Sequence, residues 1–235
     1  DLYQRTNWIL HQTILCEYST LYTSAMPRLS PNNILPAAIT NLRLCTALQN
    51  CGAIGVANAF DNSSAENLYV YDDGNLGYTD WTDVIPEFVS KCFFAANPNK
   101  NTIALLPLDG RILTGPSVIA GGVCDGMLLT DKEMCFIEFK TNVTSSNYQT
   151  ITQRANDAID QLWHTFDGII KPKCATQSIA GQPIDVEHKL FVDFHVVFDK
   201  DLEVTGASSE LMDLQLQFLT DKSHPLYFDA GKVFQ

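Results

Sequence analysis

The sequence is short of charge, and of positive charge in particular. Charged residues fill 18% of the 235 positions, below the roughly 25% of ordinary soluble domains. Fifteen Lys and Arg face 27 Asp and Glu, for a net charge of −12. A broad electropositive surface for nucleic acid is therefore absent, and any phosphate-binding site has to be local or assisted by a metal. Apolar runs of about 18 residues are missing too, as is a basic-then-apolar leader, so neither a spanning helix nor a signal peptide is in view. The seven cysteines include no CxxC pair, so a structural zinc site is not expected. Their odd number and apolar neighbours fit buried free thiols in a reducing compartment, and a cytoplasmic chain is expected. The five histidines lack HExxH or comparable spacing and read as structural or exposed. Ser117 has no GxSxG elbow, and Gly121-Gly122 with Gly126 has no following GK[ST], which excludes a P-loop.

What is present describes one folding unit over residues 1–235, because no repeat, low-complexity tract or charge block divides the chain and 46% of it is apolar. A helical elaboration is expected over 1–66, from a helix at about 2–21, a loop at Pro27, Pro31 and Pro36, and a second helix over 37–49 ending near Gly52. Residues 68–71 form a strand closed by a turn at 72–75. Residues 81–96 read as a helix, since Val84, Ile85, Phe88, Val89, Cys92 and Phe93 recur at three and four positions before the stop Asn97-Pro98-Asn99. Residues 101–106 form a short strand, and Gly121-Gly122 marks a bulge or a close backbone approach.

The strongest pattern follows. Two apolar runs, 123–129 and 134–140, flank Thr130-Asp131-Lys132-Glu133, a connection suited to a hairpin. A long amphipathic helix over 149–166 is expected to bury Ile151, Ala155, Ala158, Ile159, Leu162, Trp163 and Phe166, with Gly168 as its stop, and residues 190–198 form another strand. The helical crossover between them predicts an α/β fold with a mixed central β-sheet. The acidic stretch at 211–218 is only weakly patterned.

Alternation along the second hairpin strand puts Met134, Phe136, Glu138 and Lys140 on one face and Cys135, Ile137 and Phe139 on the other. Centring the hairpin on Asp131-Lys132 sets Leu129 against Met134 and Asp125 directly opposite Glu138. Facing carboxylates repel, so the arrangement is intelligible if a cation sits between them. An all-oxygen site of this kind suits Mg²⁺ or Mn²⁺. A plain alternative is a surface salt-bridge ladder on a half-exposed sheet, contributing under about 1 kcal/mol per pair.

These residues resemble the PD-(D/E)XK nucleases, which share a restriction-endonuclease-like core. The match is Cys124-Asp125 followed by Glu138-Phe139-Lys140, and the predicted order of helix, three-stranded meander, helix and strand over 81–200 is similar to that core. A second Glu-x-Lys triplet, Glu187-His188-Lys189, sits at a loop-to-strand junction without a partner acid. The resemblance implies metal ligation by Asp125, Glu138 and the Phe139 carbonyl, a water oriented by Lys140, and an assisting acid on the preceding helix, for which Glu87 stands in place. It implies a Mg²⁺- or Mn²⁺-dependent DNA endonuclease, in a setting of restriction or defence, acting on duplex DNA. Two sites are needed for two strands, so a homodimer or larger homo-oligomer is expected. Arg111, Lys132, Lys140, Arg154, Lys171 and Lys173 are the expected lining of a groove. The chain departs from the family in having Cys124 where proline is usual. Gln149, Gln153 and Gln161 are not followed four residues on by tyrosine, and Gln153 reads as solvent-exposed. Two other readings are a catalytically inactive binding or assembly module on the same fold and a small phosphate-ester hydrolase.

Overall fold

The computed structural model describes residues 36–202 and 207–235; the helix expected at 2–21 and the loop at Pro27 and Pro31 lie outside them. In chain order the helices are α1 (Ala37–Asn41), α2 (Leu44–Ala47), α3 (Val56–Ala59), α4 (Tyr148–Trp163), α5 (Lys171–Ala175), α6 (Val186–Lys189) and α7 (Ser208–Lys222). The strands are β1 (Asp61–Ser63), β2 (Asn67–Asp73), β3 (Tyr78–Thr82), β4 (Phe93–Ala96), β5 (Ile103–Pro107), β6 (Gly126–Leu129), β7 (Glu133–Lys140), β8 (Ser178–Ile179), β9 (Gln182–Pro183), β10 (Phe191–Phe198), β11 (Leu226–Tyr227) and β12 (Gly231–Val233).

A mixed six-stranded sheet, ordered β1-β5-β6-β7-β10-β11, forms the centre. β5, β6 and β7 make an antiparallel meander, and β10 returns parallel to β7 after the α4 crossover. The hairpin register is the one expected, with Leu129 against Met134 and Gly126 against Ile137. Its turn is held by Thr130, whose side-chain oxygen accepts from the N–H groups of Lys132 and Glu133. Alternation sorts β7 as anticipated. Met134 and Phe136 join the helix-covered core with Ile151, Ala155, Ala158, Leu162 and Phe166, while Cys135, Ile137 and Phe139 join a second core.

That second core is roofed by a four-stranded sheet, β12-β4-β2-β3, which the sequence did not announce. The helix expected over 81–96 is not formed. Trp81 ends up inside β3 with its indole N–H donating to Asp61 Oδ2 at 3.3 Å, and Phe93 begins β4. Between them Val84, Ile85, Phe88 and Val89, the apolar stripe of the expected helix, are exposed. Pro86 disfavours the α conformation at Ile85 and supplies no N–H, and the Thr82 hydroxyl accepts from Val84 N–H to start a turn instead.

Further differences are local. The helix expected over 37–49 divides into α1 and α2 around Arg43, whose φ is +51°, and β1 from the same N-terminal region adds a strand to the central sheet. Asn147 caps α4 by accepting from the N–H groups of Gln149 and Thr150. Gly168 does not stop the helix, which runs on as a π-type segment, His164–Ile170, into α5. A Cβ at Gly168 would lie 2.8 Å from the His164 ring, so this glycine makes room for that ring instead. Residues 211–218 fall within α7. No helix among the described residues is long and apolar enough to cross a membrane.

Candidate active site

Asp125 immediately precedes β6, and Glu138 and Lys140 lie at the C-terminal end of β7. The backbone N–H of Asp125 donates to Glu138 Oε2 at 3.2 Å, and the Phe139 N–H donates to Asp125 Oδ2 at 2.6 Å. The two carboxylates are thus tied across the hairpin end, each held by the other strand's backbone. In an extended pair the N–H and C=O of one residue face the same side, so the Phe139 carbonyl shares the edge that its N–H offers to Asp125. Glu138 is only 2% exposed, which removes the surface-ladder reading.

Lys140 Nζ donates to Glu138 Oε1 and, at 2.8 Å, to Gln161 Oε1 on α4. Gln161 in turn donates from Nε2 to the Val123 carbonyl. Gly122, with φ +81°, lets the chain pass close to this helix: a Cβ there would stand 2.8 Å from Gln161 Cγ. The Gly121-Gly122 pair is therefore a close backbone approach. Cys124, where the resembled family has proline, is buried in the helix-side core, and its N–H donates to Thr165 Oγ1 at 2.8 Å.

Burial first, and then surrounding negative charge, makes both acids weak. Burial lifts Asp125 to about 7, aided by the charges of Asp72 and Asp109 against the opposing Phe139 hydrogen bond and Lys140. Burial and the charge of Asp125 lift Glu138 to about 8, against the opposing ammonium of Lys140. With both ionised, two carboxylates meet one ammonium, leaving a negative charge that a proton or a cation has to satisfy. Asp72, itself raised by burial and by Asp109 and Asp73, comes from β2, and Asp109 from the loop after β5. Sequence reasoning missed both, because their approach to Asp125 depends on how the second sheet packs. Gly110 enforces it: φ is +68°, and a Cβ would stand 2.1 Å from the Gly77 carbonyl oxygen in the β2–β3 turn.

Glu87 does not take the expected place. It lies exposed in the turn between β3 and β4, and no described hydrogen bond or ion pair ties it to Asp125 or Glu138. Gln153 is exposed, as expected. The basic residues expected to line a groove lie on several separate elements. Lys132 and Lys140 stand at opposite ends of β7, Arg154 pairs with Asp157, Lys171 pairs with Asp167 and Glu187, and Arg111 covers the Tyr78 ring. A cleft of about 230 Å³ beside Asp72 is lined by Tyr71, Asp72, Phe88, Lys91 and Thr141, among others, and not by Asp125 or Glu138.

A second polar cluster lies between the two sheets. β10 presents Asp193 and His195 to the face opposite Glu138, and Asp193 pairs in register with Cys135 of β7. Lys232 of β12 donates to Asp193 Oδ2 and lies 2.6 Å from Glu133 Oε2. Cys135 had read as a buried thiol, which it is, and His195 as structural; the Asp-x-His alternation was visible, but not the β7–β10 register that brings the thiol beside it. Compared with known proteins, the chain matches no family model, no curated protein and no solved structure.

Proposed function

We propose that the chain is a metal-dependent nuclease with a restriction-endonuclease-like core, hydrolysing phosphodiester bonds of nucleic acid, most concretely as a DNA endonuclease. The observation that carries this reading is the pairing of half-buried Asp125 with buried Glu138, with Lys140 beside them, at the carboxyl end of the strand that starts the crossover. The β5-β6-β7 meander, the α4 crossover and the parallel β10 support it as the scaffold order of such a core.

The donor set fits a hard divalent cation. Asp125, Glu138 and the Phe139 carbonyl offer only oxygen, and the pair lacks one positive charge, so Mg²⁺ or Mn²⁺ suits it. When bound, such a cation supplies Lewis-acid polarisation of the scissile phosphate. Asp125 is oriented for this by the Phe139 N–H, and Glu138 by the Asp125 N–H. Lys140, aimed by Gln161, orients the attacking water and offsets charge on the phosphate oxygens. Asp72 takes the role of assisting acid in place of Glu87, acting on Asp125 through its charge. Duplex DNA is the substrate of this reading, and cutting both strands calls for a homodimer.

A second reading, a small phosphate-ester hydrolase, draws support from the cleft beside Asp72 and from the dispersal of the basic residues. One assay separates the two. Plasmid, linear duplex, single-stranded DNA, RNA and mononucleotides are incubated with Mg²⁺, Mn²⁺ or EDTA, using wild type, Glu138→Ala and Lys140→Ala. Metal-dependent cutting of polynucleotide lost in both variants supports the nuclease; hydrolysis of mononucleotides alone supports the second reading. Cutting that survives in both variants overturns the site. A chain that neither cuts nor binds Mn²⁺ is a binding module on this fold.

A further inference from the structure

Cys135, Asp193 and His195 are buried, and one ligand atom from each lies within 4.8 Å of the others. The cluster is on the opposite face of β7 from Glu138, in the core between the two sheets. Among the described residues, two of its polar atoms have no hydrogen-bond partner: Asp193 Oδ1 and His195 Nε2. Asp193 Oδ2 stands 3.7 Å from Nε2, beyond hydrogen-bond length, and the Cys135 thiol is the other group that faces the ring. Whichever tautomer the imidazole adopts, a buried donor or acceptor is left unmet, and such orphans are rare in folded chains.

The surroundings aim these atoms. The His195 ring is fixed between Phe93, edge-on at 5.0 Å, and Tyr227, stacked at 4.9 Å. Its Nδ1 meets Asp229 Oδ1 at 2.8 Å, which leaves Nε2 turned inward. A carboxylate on the outer nitrogen of a histidine is the usual support of a metal-bound imidazole, because it fixes the tautomer and raises the basicity of the inner nitrogen. Lys232 binds only Oδ2 of Asp193 and also engages Glu133, so Oδ1 is the oxygen left over.

We infer that Cys135, Asp193 and His195 form a binding site for a zinc-class transition-metal ion, separate from the Asp125–Glu138 pair. The donors decide the class. A thiolate and an imidazole suit Zn²⁺ or Co²⁺ and not Mg²⁺, and thiolate plus carboxylate balance the ion's two charges. Ligand atoms around a tetrahedral zinc stand roughly 3.3–3.7 Å apart, given bonds of about 2.0–2.3 Å, so the three groups close by about 1.5 Å at most. The ion joins β7 to β10 beneath the second sheet. Asp193 and Lys232 also line a surface cleft of about 410 Å³, which gives the ion a way in.

The test is a cobalt(II) titration of the metal-stripped full chain, followed in the near ultraviolet, where cobalt–thiolate charge transfer absorbs. Absorption saturating at one equivalent is expected in wild type and in Glu138→Gln, since oxygen ligands at the other pair give no such band. It should be lost in Cys135→Ser. Asp229→Asn, at an exposed position that does not endanger folding, should bind Co²⁺ about tenfold more weakly. No band in wild type, a band that survives Cys135→Ser, or unchanged affinity in Asp229→Asn overturns the inference. Loss of cobalt binding in Glu138→Gln alone would do the same, by moving the site to the other pair.

Discussion

Glu138 accepts the backbone N–H of Asp125 at 3.2 Å across the open end of the β6–β7 hairpin, while the Asp125 carboxylate accepts the N–H of Phe139 at 2.6 Å. This reciprocal grip fixes a half-buried and a buried acid where their charges oppose each other, and the structural cost of that arrangement is readable as a pH dependence.

In the unfolded chain both acids titrate near pH 4, whereas in the folded chain they sit at about 7 and about 8. The folded state therefore holds more protons between about pH 4 and 8, and without metal the stability contributed by this pair falls as pH rises through that window. His195, also raised, adds a fall above its unfolded value, so the pair is isolated by comparison with Glu138→Gln. Thermal melts in EDTA should show a shallower decline from pH 5 to 8 in the variant than in wild type. Mg²⁺ should raise the wild-type melting temperature more at pH 8 than at pH 5, since at low pH it competes with bound protons. Equal slopes in wild type and variant would remove the coupling between the acids.

Gln161 anchors the Lys140 ammonium from α4. As a positioning residue it should affect turnover through Lys140 and leave cation affinity alone. Gln161→Leu is expected to slow metal-dependent cleavage by about tenfold to a hundredfold, the range seen when supporting partners of a site are removed, with the Mn²⁺ dissociation constant unchanged. Gln161→Glu, which keeps an oxygen for Lys140, should recover part of the loss. Equal rates in Gln161→Leu and wild type would free Lys140 from this partner.

How far the sequence revealed this site depends on which contacts were local. The hairpin register follows from a four-residue turn and strict alternation, so the meeting of Asp125 with Glu138 was legible from adjacent residues. The α4 stripe was legible for the same reason, since one turn predicts the next. Residues 81–96 misled because apolar residues at helical spacing served other ends: Trp81 and Phe93 are claimed by strands pairing with β2, and Val84 and Ile85 stay exposed. Once that helix is gone, Glu87 has no platform, and Asp72 and Asp109 approach Asp125 from elements more than a dozen residues away in the chain. His195 beside Cys135 required the β7–β10 register, set across the whole α4 crossover.

Gly110→Ala tests the packing that brings Asp109 to the site. The added Cβ meets a carbonyl oxygen at 2.1 Å in a left-handed backbone conformation, so both the contact and the φ are unfavourable. A loss of about 2–3 kcal/mol in denaturant-derived stability is expected. Gly55→Ala, where a Cβ would meet nothing within 4 Å, is the control and should lie within about 0.5 kcal/mol of wild type.

Lys232 is the only cation that the described ion pairs place on Asp193 and Glu133 other than the weakly placed His195, and its side chain is 10% exposed. It also faces the rings of Phe191 and Phe234. Replacing it with methionine keeps most of the apolar stem and strands two buried carboxylates, a change that costs about 3–5 kcal/mol when one partner of a buried pair is removed. The loss should concentrate at the chain's end, because β12 lies parallel to β4 over only three residue pairs and the Gln235 N–H is held by Glu133 Oε1 at 3.1 Å. Amide exchange at 231–235 should accelerate in Lys232→Met well beyond that in β6 and β7. Uniform acceleration across the central sheet would instead make Lys232 a support of the whole fold.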